Sequence, residues 1–375
     1  MKVTIHKLFD YLLETTAADP PECFIGFSLA RSPRLGDFLG DLDPGLSLDW
    51  NGKSFLGLPG LRQRVLDQAA LNAHCTPDDV LITAGAAEAN YLLFRQLLTA
   101  GDEVITETPG WPQVGVMARA IGATLVPIPR REKDGWHLDP AEIAAAVTPR
   151  TKLIFLTNPN NPTGTLIPAQ DLQAISRIAD HHGIWLIVDE VYAGLEWAGP
   201  RAPSIAGLTP RGITTGSVSK ALGLQGLRTG WIITRDRGVI RDAMILRENA
   251  SEIMNTLGEH IAEIALRPDR LAAALTAARQ DGRANLDKLH DFVAAEPRLD
   301  WHKPQAGLIG LARLAGIDSE SLARRLLAAP YRTFLLPGSA YDMPDHIRLG
   351  VGGGPETRLD EGLVRLSTLL KLWKA

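Results

Sequence analysis

Between about Thr76 and Arg235, short and nearly all-apolar runs alternate with longer stretches of helical periodicity. Val80–Thr83, Glu103–Thr106, Thr124–Pro127, Lys152–Thr157, Ile184–Asp189, Ile213–Ser217 and Thr229–Thr234 predict strands. Ala86–Leu98, Trp111–Ile121 and Pro168–His182 predict helices between them, and Asp139-Pro140-Ala141-Glu142 opens another with a cap, a first-turn proline and an acid at N3. In Pro168–His182, Leu172, Ile175 and Ala179 share one face and Gly183 is the stop, so His181 and His182 read as C-terminal cap residues. Apolar strands separated by helices imply a mainly parallel sheet covered on both faces. After Asp236 the chain turns helical to about Val293. The last stretch mixes short strands (Leu308–Leu314, Phe334–Pro337, His346–Leu349) with helices at Ser319–Ala329 and Glu356–Leu370. The N-terminal stretch is irregular, apart from a helix-like patch at Ile5–Leu13. The expected fold is α/β. A large domain, residues 49–284, carries a mostly parallel sheet between helices, and residues 1–48 and 285–375 form a small α+β domain.

The chain has 375 residues, too many for one ordinary core, which agrees with two units. Hydrophobic residues make up 45% and charged residues 22%, the balance of a globular protein. A formal net charge of −4 gives no electrostatic reason to expect nucleic acid or membrane as a partner. Cys23 and Cys75 form no CxxC pair, which suits a reducing, cytoplasmic setting. The start lacks a long apolar core of the secretory type, and no run reaches the roughly 18 apolar residues of a membrane span. No histidine spacing suggests a metal.

The polar residues that interrupt the apolar strands gather at their carboxyl ends, where open α/β sheets bind ligands. Gly85-Ala86-Ala87 opens a helix straight after a strand, and backbone N–H groups there suit a phosphate, although a simple tight turn would look the same. Asn158-Pro-Asn-Asn161-Pro-Thr-Gly164 fixes Asn161 between prolines. Asp189 closes a run of five apolar residues; its carboxylate needs a partner, such as a cationic ring nitrogen or a basic side chain elsewhere. In Ser217-Val-Ser219-Lys220-Ala-Leu-Gly-Leu-Gln-Gly-Leu-Arg228, a lysine flanked by hydroxyls precedes an arginine by eight residues. That spacing reads as a nucleophilic amine beside a phosphate cradle.

Together, in this order, these stretches resemble fold-type I enzymes dependent on pyridoxal 5′-phosphate (PLP), specifically the class I/II aminotransferase family. The resemblance runs from about Leu58 to Arg348. It implies that Lys220 forms the internal aldimine and then acts as general base, and that Asp189 pairs with the pyridine nitrogen. It implies that Asn161 and Tyr192 bind the ring oxygen and that Trp111 stacks on the ring. Ser217, Ser219 and Arg228, with the amides at Gly85, Ala86 and Ala87, take the phosphate. Arg348 matches the family arginine that grips a substrate α-carboxylate, with Asn161 and Trp111 beside it. It further implies a homodimer that passes an amine from an L-α-amino acid to a 2-oxo acid.

This chain departs from the pattern in three places. Ala86 and Ala87 bring no hydroxyl to the phosphate turn. The partner-subunit tyrosine expected before Gly57-Leu-Pro-Gly-Leu-Arg62 is missing, with Trp50, Asn51 or Lys53 as replacements. Residues 26–36, where relatives carry a glycine-rich lid, instead hold Arg31 and Arg34, which could meet an acidic substrate group or simply face water. These departures keep a second chemistry open on the same cradle: amino-acid cyclisation of the capreomycidine-synthase kind, elimination or decarboxylation. A non-catalytic regulator is disfavoured, because no helix-turn-helix or basic stripe precedes the motifs. Gly350-Val-Gly-Gly-Gly354 reads as a flexible turn.

Overall fold

The structure, a computed structural model, describes residues 11, 13, 20–49 and 54–373. The patch at Ile5–Leu13 falls almost wholly outside the described residues, as do Trp50, Asn51 and Lys53.

Strand β1 (Cys23–Phe24) lies near the N-terminus. A seven-stranded sheet follows, built from β2 (Val80–Thr83), β3 (Glu103–Thr108), β4 (Thr124–Pro129), β5 (Thr151–Thr157), β6 (Trp185–Asp189), β7 (Gly212–Ser217) and β8 (Gly230–Ile233). Its order is β2-β8-β7-β6-β5-β3-β4. Strands β3 to β7 pair in parallel, whereas β8 is antiparallel to both β2 and β7. The mostly parallel sheet is as expected, with one reversed strand that the apolar pattern does not reveal, because strands buried on both faces look alike in either direction.

Helices Pro59–Ala69 and Ala86–Leu97 pack with the sheet; the former lies in a stretch where no helix was expected. The expected helix at Trp111 begins at Gln113, after Pro112. Helix Ala169–His182 ends at Gly183 with φ 65°, so the two histidines do sit in the last turn before a left-handed cap. The helical region after Asp236 is three helices, Arg237–Glu248, Thr256–Ala265 and Pro268–Ala295.

Four more strands, β9 (Leu299–Trp301), β10 (Ile309–Leu314), β12 (Leu336–Pro337) and β13 (His346–Gly350), make an antiparallel sheet in the order β12-β13-β10-β9. Between them β11 (Thr333–Phe334) pairs with β1, which ties the N-terminal segment to the C-terminal part of the chain. The core on this sheet joins Ile25 to Leu335, Ile347, Leu349 and the helix Leu359–Leu372.

Gly350–Gly354 is not the flexible turn expected of five residues rich in glycine. Gly350 N donates to Ile25 O, Gly352 N to Phe27 O and Gly353 N to Leu29 O. The missing side chains let two backbones approach closely, and a Cβ on Gly352 would meet the Leu29 backbone. Residues 25–29 are thereby laid along the edge of the site.

Candidate active site

The parallel strands β5, β6 and β7 end side by side: Thr157 is in register with Asp189, and Asp189 with Thr215. A cavity of about 400 Å³ opens beyond these ends. It is lined by Asp189 and Ser217 at strand ends, by Tyr192, Ser219, Lys220 and Arg228 from the segments that follow them, by Ala86 and Ala87 from the start of helix Ala86–Leu97, and by Trp111 and Asn161 from loops. Arg348, distant in sequence, reaches the same cavity from β13. Gly85 stands behind the lining as the N-cap of helix Ala86–Leu97.

Lys220 faces the cavity and keeps part of its surface. The atoms packed around its amine still disfavour the charged form. Burial pulls its pKa down to about 8, helped by Arg348 and, more weakly, Arg228, and opposed by Asp189. Asp189 shows the mirror effect. Burial pushes its carboxyl up to about 6, against the Asn90 amide, the Val191 N–H and Lys220. Burial also raises the pKa of the Tyr192 hydroxyl, so it stays protonated. Lys220 Nζ lies 5.9 Å from the centre of the Tyr192 ring.

The turn at Gly85 has φ 84° and leads into a twelve-residue helix whose first residues, Ala86 and Ala87, line the cavity, so backbone N–H groups without intrahelical partners stand there. Arg228 crosses this turn. Its Nη2 donates to Ala84 O at 3.2 Å, its Nη1 to Gln225 O at 3.1 Å, and its own backbone sits at φ 51°. Ser217 Oγ accepts from Ser219 N at 3.3 Å. Trp111 is held through its Nε1 by Gln113, which in turn donates to Ala87 O.

Several site residues escaped the motif reading. Asn90 donates to Asp189 at 3.0 Å and accepts from Thr215 Oγ1 at 2.9 Å. Its signal was an amide in an otherwise apolar helix face beside Ala89, Leu92 and Leu93. Thr157, Gln225, Phe334 and Leu336 also line the cavity, together with Gly26, Phe27, Ser28 and Leu29. Tyr341, outside the lining, accepts a hydrogen bond from Arg348. By contrast Arg31 and Arg34 do not line the cavity. Arg31 pairs with Asp281 at 3.1 Å, and Arg34 opens an exposed turn. Among the described residues no cluster could hold a metal ion, and no helix is long and apolar enough to cross a membrane. Cys23 and Cys75 are both buried and free.

The cavity suits a flat, polar group with an anionic tail. Three buried polar atoms on its lining residues complete no hydrogen bond: Thr157 Oγ1, Arg348 Nε and the Tyr192 hydroxyl, which Ser28 approaches. A buried carboxylate lies at one side of this space, a lysine of lowered pKa within it and a helix N-terminus with an arginine at its rim. These features fit PLP, and the mixed sheet covered by helices is that of fold type I. The protein is a PLP-dependent enzyme of that fold.

Its sequence matches the family described as "Aminotransferase class I and II" over residues 54–366. The chain belongs to that family. It is 30% identical to the arginine–pyruvate transaminase AruH of Pseudomonas aeruginosa, over 80% of this chain and 77% of that protein. It is 29% identical to the capreomycidine synthase of Streptomyces vinaceus, over 80% and 77%. The crystal structure of a PLP-dependent aminotransferase from Streptococcus suis 89-1591 superposes with a TM-score of 0.88 at 26% identity, over 100% of both chains.

Proposed function

We propose that this enzyme transfers the amine of an L-α-amino acid to a 2-oxo acid, with Lys220 as the residue that carries the cofactor. The observation behind the reading is one cavity shared by a lysine of lowered pKa, a buried carboxylate and a buried arginine: Lys220, Asp189 and Arg348. Held at Lys220, PLP supplies an electron sink that weakens a bond at the substrate Cα.

Each remaining task falls to a side chain of this protein. Asp189, ionised beside a cationic ring nitrogen, keeps that nitrogen protonated. Asn161 and Tyr192 donate to the ring oxygen, and Trp111 covers one ring face. Ser217, Ser219, Arg228 and the amides after Gly85 take the phosphate. Arg348 grips the α-carboxylate, and Lys220, neutral above about pH 8, accepts the Cα proton and returns it. Residues 26–29 line the cavity together with Arg348, which places them at the substrate.

The same reading divides the chain into 49–284 around the large sheet, and 1–48 with 285–375; the pairing of β1 with β11 supports joining the two ends. A homodimer in the cytoplasm completes it.

A second chemistry has its own support in the similarity to capreomycidine synthase. Cyclisation or elimination would use the same lysine and carboxylate but needs no amine acceptor. One experiment separates them. One portion of the purified holoenzyme is reduced with borohydride and its peptides are mapped; a second, unreduced portion is offered twenty amino acids with and without a 2-oxo acid, pyruvate or 2-oxoglutarate. Modification at Lys220, and consumption beyond one equivalent per site only with a 2-oxo acid, are expected. Consumption of many equivalents without a 2-oxo acid supports the cyclase or lyase reading, and an unmodified Lys220 ends both.

A further inference from the structure

The short turn Gly338–Tyr341 places a phenol under the arginine of the site. Tyr341 is 3% exposed, and Arg348 Nη1 stands 2.8 Å from its hydroxyl oxygen. A guanidinium has no acceptor, so Arg348 donates and the tyrosine oxygen accepts. The hydroxyl proton then has one destination, Asn161 Oδ1 at 3.1 Å. Burial raises the pKa of Tyr341, so that proton is retained at neutral pH.

This chain of donors settles the Asn161 amide. Its oxygen is taken by Tyr341 and, at 3.4 Å, by Arg348, which leaves its nitrogen as the donor for the cavity. The other arm of Arg348, Nη2, donates to Gly26 O at 2.9 Å. The guanidinium is thus held by three separate segments: the loop of Asn161, the segment of Gly26 and the turn of Tyr341. Of these only Tyr341 touches both Arg348 and Asn161 with one atom. A phenylalanine would fill the same space and remove the shared hydroxyl, leaving Arg348 with Gly26 O and its longer 3.4 Å contact to Asn161.

We infer that Tyr341 is a positioning residue, whose hydroxyl sets the Arg348 guanidinium and the Asn161 amide in one geometry before a carboxylate arrives. The inference rests on the reading of Arg348 as the carboxylate grip. It couples two events: a carboxylate docking on Arg348 and the hydrogen bond Asn161 offers to the cofactor ring oxygen.

The test uses holoenzyme, Tyr341→Phe and Arg348→Met, with acetate as the probe. Absorbance of the lysine-bound cofactor is titrated against pH in rising acetate, with chloride as the salt control. In the wild type, acetate moves the apparent pKa of that absorbance; in Tyr341→Phe the concentration needed rises about tenfold, and the pKa without acetate is already higher. Cofactor stoichiometry and melting temperature confirm that the variant is folded and loaded. A folded Tyr341→Phe with wild-type pKa and wild-type acetate dependence overturns the inference. Acetate dependence that survives in Arg348→Met, or is absent from the wild type, sinks the reading of Arg348 instead. Should Tyr341→Phe fail to load, a crystal structure of its apo form decides: Arg348 and Asn161 unmoved there would also overturn the inference.

Discussion

Asn90 Nδ2 lies 3.0 Å from Asp189 Oδ2, and because the Asn90 oxygen accepts from Thr215 Oγ1, the amide can face the carboxylate only with its N–H. The helix whose first residues line the cavity therefore also aims a side-chain donor at the buried carboxylate. Asn90→Leu removes that donor at nearly constant volume. The Asp189 carboxyl then climbs further from its ordinary pKa and holds a ring cation less well. The affinity of the apo-enzyme for PLP should fall about tenfold or more, the scale of a hydrogen bond to a charged group. An absorbance titration measures it, and an unchanged affinity would show that Asn90 only fills space.

The lowered pKa of Lys220 predicts the pH dependence of cofactor capture. Only the neutral amine attacks an aldehyde, and it dominates above about pH 8. Mixing apo-enzyme with PLP should give a second-order rate that drops about tenfold per pH unit below 8 and levels off above it. A rate that kept climbing towards pH 10 would mean that the amine is as basic as a lysine in water.

Asp189 predicts a stability effect of opposite appearance. Its carboxyl titrates near 6 in the folded apo-chain against an ordinary value of 3.8, so folding takes up a proton between those values. The contribution to stability is fullest below 3.8, falls as pH rises through the window and is lost above 6, a deficit on the order of 3 kcal/mol. Apo Asp189→Asn should therefore melt above the apo wild type at pH 7.5, with the gap closing by pH 4, while its affinity for PLP collapses. Calorimetric melts at the two pH values check the sign. A gap of equal size at both would remove the buried charge as its cause.

The large sheet and the residues that line the cavity at its strand ends were legible because they are local. An apolar strand ends, and the polar residue that follows must face the crevice; Asp189 and the run from Ser217 to Arg228 announce themselves this way. The reversed direction of β8 was hidden, since its residues are buried on both faces. Asn90 and Tyr341 were hidden for another reason. Each matters only through a partner 99 or 7 residues away, a pairing that spacing along a strand or helix does not encode. Arg31 looked available because its partner, Asp281, lies 250 residues on. The glycines at 350–354 suggested freedom, whereas the close approach of residues 25–29 makes them a fixed ladder.

Gly230 offers a test of how backbone contact alone supports the site. It stands in β8 opposite both Thr83 and Ser217, so the strand runs between the turn at Gly85 and the loop after Ser217. A Cβ there would sit 2.5 Å from Gly85 C, 2.6 Å from Ala86 N and 2.7 Å from Gly216 O, all backbone atoms with nowhere to turn. Gly230→Ala must push the Gly85–Ala86 turn outward. We expect a loss of about 1–3 kcal/mol in stability, the scale of overpacking. Its affinity for PLP should fall further than its affinity for pyridoxal, which has no phosphate to place on that turn. Gly226, whose Cβ would meet nothing within 4 Å, is the control, and Gly226→Ala should change stability by about 0.5 kcal/mol or less. Thermal melts with parallel titrations of the two vitamers decide the matter. Equal losses for pyridoxal and its phosphate would locate the damage in the fold at large and not at the turn.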